Sequence, residues 1–163
     1  MLRDFRINGA KAPDAMHKAK ADMVTGMAVV REDTATDKFV KVSDTETVAD
    51  ILFVDKERIP TGVNAARGDM SDYDDDFVNI KANEMVSIDK YAVDEKFGTD
   101  QFVDTDFTAS TAIGTRVSFK DGKAMKATST VASPYVFKGL YNDNGHTLIQ
   151  IEISDTAAKN ANA

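Results

Sequence analysis

A chain of 163 residues with a net charge of −7 and a pI near 4.8 is of a size to make one domain with its own core. It contains no Cys, which excludes disulfides and thiolate metal sites. Its acidity argues against nucleic acid and anionic membranes as partners, and favours docking onto basic patches.

The first nine residues, Met1 to Gly9, are mixed and polar, so no signal peptide is expected. Leu2, Phe5 and Ile7 are apolar with a period near two. They fit a strand in the protein's own sheet, or one added to the sheet edge of a partner. Pro13 to Asp22 is rich in Ala and Lys, with Pro13 placed as a first helical residue and Met16, Ala19 and Met23 on one helical face. Residues 1–22 are therefore expected as an N-terminal arm or short helix, followed by a single β domain over 23–154.

From Val24 the pattern is β. Val24–Val30, Phe39–Val42, Ala49–Val54, Phe77–Ile80 and Met85–Ile88 are short runs with β-branched or aromatic content. Asp33-Thr34, Ser43-Asp44, Asp55 and the segment Lys81 to Glu84 separate them. This spacing predicts a mainly β fold, a small β-barrel or β-sandwich with long irregular loops, rather than βαβ units. The longest strongly apolar run, Ile51 to Val54, is too short to span a bilayer. Ile59 to Asp76 carries Pro60, Gly62, Asn64 and Gly68 and reads as a long loop of the kind that serves function. Asp104 to Gly114, rich in Thr, Ser and Ala, is a second irregular stretch.

Two hairpins close the chain. Val117 to Met125 fits a three-residue loop, Lys120-Asp121-Gly122, with Val117 opposite Met125. A two-residue Asp121-Gly122 loop would place Val117 opposite Lys126 instead. In the second hairpin, a loop at Asp143-Asn144-Gly145 sets Tyr135, Phe137, Gly139 and Tyr141 opposite Ile153, Ile151, Ile149 and Thr147 on one apolar face. Val136, Lys138 and Leu140 then face Glu152, Gln150 and Leu148 on a half-polar side. This hairpin is expected at the centre of the core, and residues 155–163 as a disordered tail.

The chemistry-bearing residues are sparse. His17 and His146 have no nucleophile beside them, and both read as structurally ordinary. No phosphate-binding glycine pattern, nucleophile elbow or His-Glu-x-x-His occurs. No enzyme activity and no cofactor are therefore expected. In the acidic run Asp69 to Asp76, Asp72, Asp74 and Asp76 alternate as calcium ligands do, but the Gly and closing Glu of an EF-hand are missing. The run reads as a solvated loop that blocks edge pairing, or as an anionic contact for a partner's Arg or Lys. Arg67-Gly68-Asp69 is the tripeptide of adhesion ligands, but no secretion signal accompanies it, and Gly68 reads as a turn residue. Arg67, Asp69, Asp72 and Asp74 thus join Leu2, Phe5 and Ile7 as candidate partner contacts.

Several segments, taken in order, resemble small head proteins of tailed bacteriophages, in particular capsid decoration (cement) proteins. They are Thr25-Gly26-Met27-Ala28-Val29-Val30, Phe53 to Gly62, Asp69-Met70-Ser71-Asp72-Tyr73, Ile80 to Glu84, Gly98-Thr99-Asp100-Gln101-Phe102 and Phe119 to Lys123. They are structural stretches, so no functional residue carries over. The resemblance implies a virion protein on the capsid exterior, assembled in the bacterial cytoplasm, that binds the major capsid protein and bridges capsomers. Some such proteins are trimers at threefold positions, so a homotrimer is a further expectation. Two other readings stand beside it. One is a tail or connector component; the other is a carbohydrate- or ligand-binding β module displaying Tyr73 and Tyr91, since the hairpin register places Tyr135 and Tyr141 inside.

Overall fold

The computed structural model describes residues 1–8, 14–56 and 78–161, and the regular structure there is strand. Arg67, Asp69, Asp72, Asp74 and Tyr73 lie outside the described residues, as does the loop over 59–76. No helix among the described residues is long and apolar enough to cross a membrane.

Five strands close a barrel in the order β2 (Asp14–Ala19), β5 (Lys38–Lys41), β4 (Ala28–Asp33), β6 (Leu52–Lys56) and β8 (Met85–Asp89). Four more form an antiparallel sheet in the order β1 (Leu2–Arg6), β9 (Lys96–Thr99), β13 (His146–Ala158) and β12 (Ser133–Asp143). Two ribbons complete the fold: β3 (Met23–Val24) with β7 (Asn79–Ile80), and β10 (Val117–Lys120) with β11 (Lys123–Lys126). The molecule is a β-barrel with a sheet packed against it.

The apolar run Ile51 to Val54 joins the two parts because β6 is buried on both faces. Leu52 and Val54 point into the barrel with Ala19, Val29, Val40, Val86 and Ile88. Phe53 points the other way, into a larger cluster that includes Phe97, Phe119, Phe137, Ile149 and Ile151. There its ring lies 4.5 Å from Phe97, 5.5 Å from Phe119 and 5.6 Å from Tyr91, centroid to centroid. Adjacent β4 is divided in the same way, Ala28 facing the larger cluster and Val29 the barrel. Asp55, read from the sequence as a turn residue, lies within β6.

Several local expectations change. Residues 14–19 form a strand instead of a helix. β8 and β5 each need a neighbour to close the barrel, and β2 pairs with both. Ala and Lys gain only a fraction of a kcal/mol per residue from helical propensity. As a strand, the same segment buries Ala19 and His17. His17, 2% exposed, sets Nδ1 3.5 Å from Asp14 Oδ2 and Nε2 3.5 Å from Asp33 Oδ1. Val24–Val30 is not one run: β3 and β4 are separated by a turn at Gly26.

The first late hairpin uses the two-residue loop, with Val117 opposite Lys126 and Ser118 opposite Met125. Asp121 (φ 51°) and Gly122 (φ 78°) both take the left-handed region, the type I′ geometry that suits strand twist. Val117, Ser118 and Phe119 are all buried, so side-chain alternation could not select the register. Of the expected tail, residues 155–160 are tied down. β13 runs to Ala158, and Asn160 accepts the Arg116 N–H (2.7 Å) while donating to the carbonyls of Arg116 (3.0 Å) and Ala127 (2.7 Å).

The second hairpin keeps the expected register only at its base, where Tyr135 faces Ile153 and Phe137 faces Ile151. At Lys138-Gly139 the register shifts, with Gly139 at φ 122°. Beyond the bulge Leu140 faces Ile149 and Tyr141 faces Leu148. The extra residue turns Leu140 inward and Tyr141 outward.

Candidate docking face

The inner face of the four-stranded sheet belongs to the core. Two cross-strand rows, Leu2–Thr99–Ile149–Leu140 and Asp4–Phe97–Ile151–Phe137, run across it. The outer face carries the alternate rows, Arg3–Gly98–Gln150–Gly139 and Arg6–Lys96–Glu152–Val136. Polar and charged groups dominate those rows, with two glycines that leave the backbone uncovered by side chains of their own.

Phe5 sits at the irregularity in β1 between Asp4 and Arg6, and its ring lies over Gly98. A Cβ at Gly98 would stand 2.7 Å from Phe5 Cε2, so the glycine makes room for the ring. The Phe5 ring meets Tyr141 edge to face at 5.0 Å, and Lys96 Nζ lies 5.8 Å from its centre. Tyr141 is 40% exposed and is one of the few large apolar side chains on the described surface that is so open.

Charges ring this aromatic pair. Arg3 donates to Asp143 Oδ2 through Nε at 3.1 Å and also through Nη2. Arg6 Nη2 stands 3.1 Å from Glu152 Oε2, and Lys138 Nζ stands 3.0 Å from Glu152 Oε1. Burial works to raise the Glu152 pKa, but Lys138 and Arg6 outweigh it and hold the carboxyl below its ordinary range. With Lys96, the described residues of this face bear four cations against two carboxylates, in a chain whose net charge is −7. It is a locally basic, aromatic surface on an acidic protein.

The sequence-derived contacts divide across the sheet. Leu2 and Ile7 pack against the larger core cluster and are used by the fold itself. Phe5 alone of the three lies on the outer face. Tyr141, Arg3, Arg6 and Lys96 were not singled out from the sequence. An uninterrupted hairpin register hid Tyr141, although Gly139 in mid-strand was the available sign of a bulge. Tyr91, a candidate sugar platform, is buried: its ring stacks on Phe97 at 4.0 Å and its hydroxyl donates to Asp4 Oδ1 at 2.6 Å. Burial, with the charge of Asp4, pushes its pKa up.

Among the described residues no group of three or more His, Cys, Asp or Glu is arranged to hold a metal ion. Comparison with protein-family models, with curated proteins and with solved structures finds no match for this chain.

Proposed function

We propose that this chain is a docking protein that works through a sheet face rather than through bond-making chemistry. More particularly, we read it as a virion structural protein of the capsid-decoration kind. In that reading it sits on the outside of a tailed-phage shell, contacts the major capsid protein and stabilises the shell by bridging capsomers. The observation that carries docking is the outer sheet face, where Phe5 and Tyr141 form an aromatic centre within a ring of Arg and Lys. Exposed Tyr and Arg around a packed aromatic are the composition of interface hot spots. The phage assignment rests on the sequence resemblance.

Four strands span about 15 Å between the outer strand axes, and β1 and β9, at 5 and 4 residues, limit their shared length to about 15 Å; a patch of roughly 200–300 Å² falls short of the ~800 Å² per partner of a standard interface. A single contact of that size is weak. Copies that also touch one another around a threefold axis would reinforce it, because each bound neighbour raises the effective concentration of the next contact. Any ligand that binds only the assembled shell stabilises it by mass action.

The test uses expanded capsids prepared without this chain from a particle that carries it. Added protein should saturate a fixed number of sites per shell and raise the temperature at which the shell releases its contents. Electron microscopy should place it on the exterior. Absence of saturable binding would overturn the capsid reading. Deleting residues 1–12 is not a clean test, since β1 is an integral strand of the sheet. Tyr141→Ala, at an exposed position, is the suitable variant, with an expected loss of at least about tenfold in affinity.

A further inference from the structure

We infer that the outer face of the β1–β9–β13–β12 sheet recognises an acidic protein surface, and that Asp143 and Glu152 hold its cations in place of that partner until docking. This deepens the docking reading and rests on it.

The whole chain is acidic, and its net charge alone predicts a basic partner. The outer sheet face has the opposite sign. Arg3, Arg6, Lys96 and Lys138 converge on it from β1, β9 and β12, while Asp143 and Glu152 are the carboxylates between them. Glu152 is shared: one oxygen meets Arg6 and the other Lys138. The Arg3 and Arg6 side chains are 43% and 51% exposed, so a second carboxylate can reach both. A partner carboxylate can compete there with Asp143 and Glu152 for the two guanidinium groups.

A single-stranded nucleic acid would also use aromatics and cations on a sheet face. The geometry disfavours it. Glu152 and Asp143 lie within the face, where a phosphate chain would pass, and the rest of the chain repels polyanions over longer range. A folded or extended protein segment bearing discrete carboxylates can be matched to the cations and avoid both acids.

The sign of the charge effects provides the test. In capsid binding, Lys96→Glu and Arg6→Glu should each slow association at least about tenfold at low salt, and the gap should shrink as salt rises. Glu152→Gln should tighten binding severalfold, a gain that misfolding cannot mimic. Unchanged or weakened binding by Glu152→Gln, or indifference to Lys96→Glu, would overturn the inference while leaving the capsid reading intact. A second arm needs no capsid: NMR titration of the full chain with a glutamate-rich peptide and, separately, with oligo-dT. Shifts on Arg3, Phe5, Lys96 and Tyr141 with the peptide alone support the acidic partner. Tighter binding of oligo-dT on that face, or no shift with the peptide, refutes it. If the peptide binds there and the capsid does not, the surface chemistry holds and the capsid reading falls.

Discussion

At the scale of single residues, two glycines separate steric cost from conformational cost. Gly26 has φ 92°, and a Cβ there would stand 2.6 Å from the Met1 carbonyl oxygen and 2.8 Å from Thr99 Oγ1. Gly139 has φ 122°, with no atom within 4 Å of the added carbon. Both alanine variants strain the backbone, but only Gly26→Ala must also push main chain aside. Gly139→Ala should therefore cost about 1–2 kcal/mol and Gly26→Ala clearly more, read from urea midpoints at constant m value. Equal losses would mean that Met1 moves freely away from the turn. Glu32 supplies the pH-dependent case. A hydrogen bond from Lys41 (2.6 Å) and the ion pair with Lys20 (2.9 Å) bring its pKa down from 4.5 to about 2. A carboxylate depressed by folding adds stability above its unfolded pKa and loses it as the pH falls through the folded one. Glu32→Gln should then be less stable than the parent at neutral pH. Thermal melts should show that difference closing between about pH 4.5 and pH 2.

At the scale of elements, the Asn160 side chain ties down the residues that follow β13. Asn160 accepts one main-chain N–H and donates to two carbonyls, linking the end of β13 to the segments that flank β10 and β11. Asn160→Ala leaves a part-buried amide and two carbonyls without these partners, at a cost of about 1–3 kcal/mol. Hydrogen exchange should speed up at Arg116, whose amide donates to Asn160; unchanged protection there would show that the clamp is incidental. This tail was illegible in the sequence because small polar residues carry no periodicity. A single Asn can still fix a strand end when it matches three main-chain groups. The hairpins were legible where one face is apolar and the other polar, as at Tyr135–Ile153 and Phe137–Ile151. Legibility failed where both faces are buried, as in Val117–Phe119, and where Gly139 inserted a residue. The candidate face was half-legible for the same reason. Phe5 stood out as apolar, whereas Tyr141 reached the surface only through the bulge.

At the scale of the molecule, the barrel and the sheet are joined by barrel strands that are buried on both faces. Leu52 and Val54 complete the barrel core, and Phe53 between them completes the sheet core. Ala28 and Val29 repeat the arrangement on β4. A barrel without the sheet would expose Phe53 to water. A sheet without the barrel would lose the ring that touches Phe97, Phe119 and Tyr91. Neither part can open while the other keeps its full core, so denaturation should be one transition. Phe53→Ala should lower stability by about 3–5 kcal/mol, and the loss should appear equally in both parts. Native-state hydrogen exchange provides the measurement: the slowest amides of β6 and β4 in the barrel and of β13 in the sheet should lose the same free energy of opening. Loss confined to β13, with β4 unchanged, would show two separately cooperative units. That result would also bear on docking, because a sheet able to loosen alone could not hold Phe5, Tyr141 and their ring of cations as a rigid face.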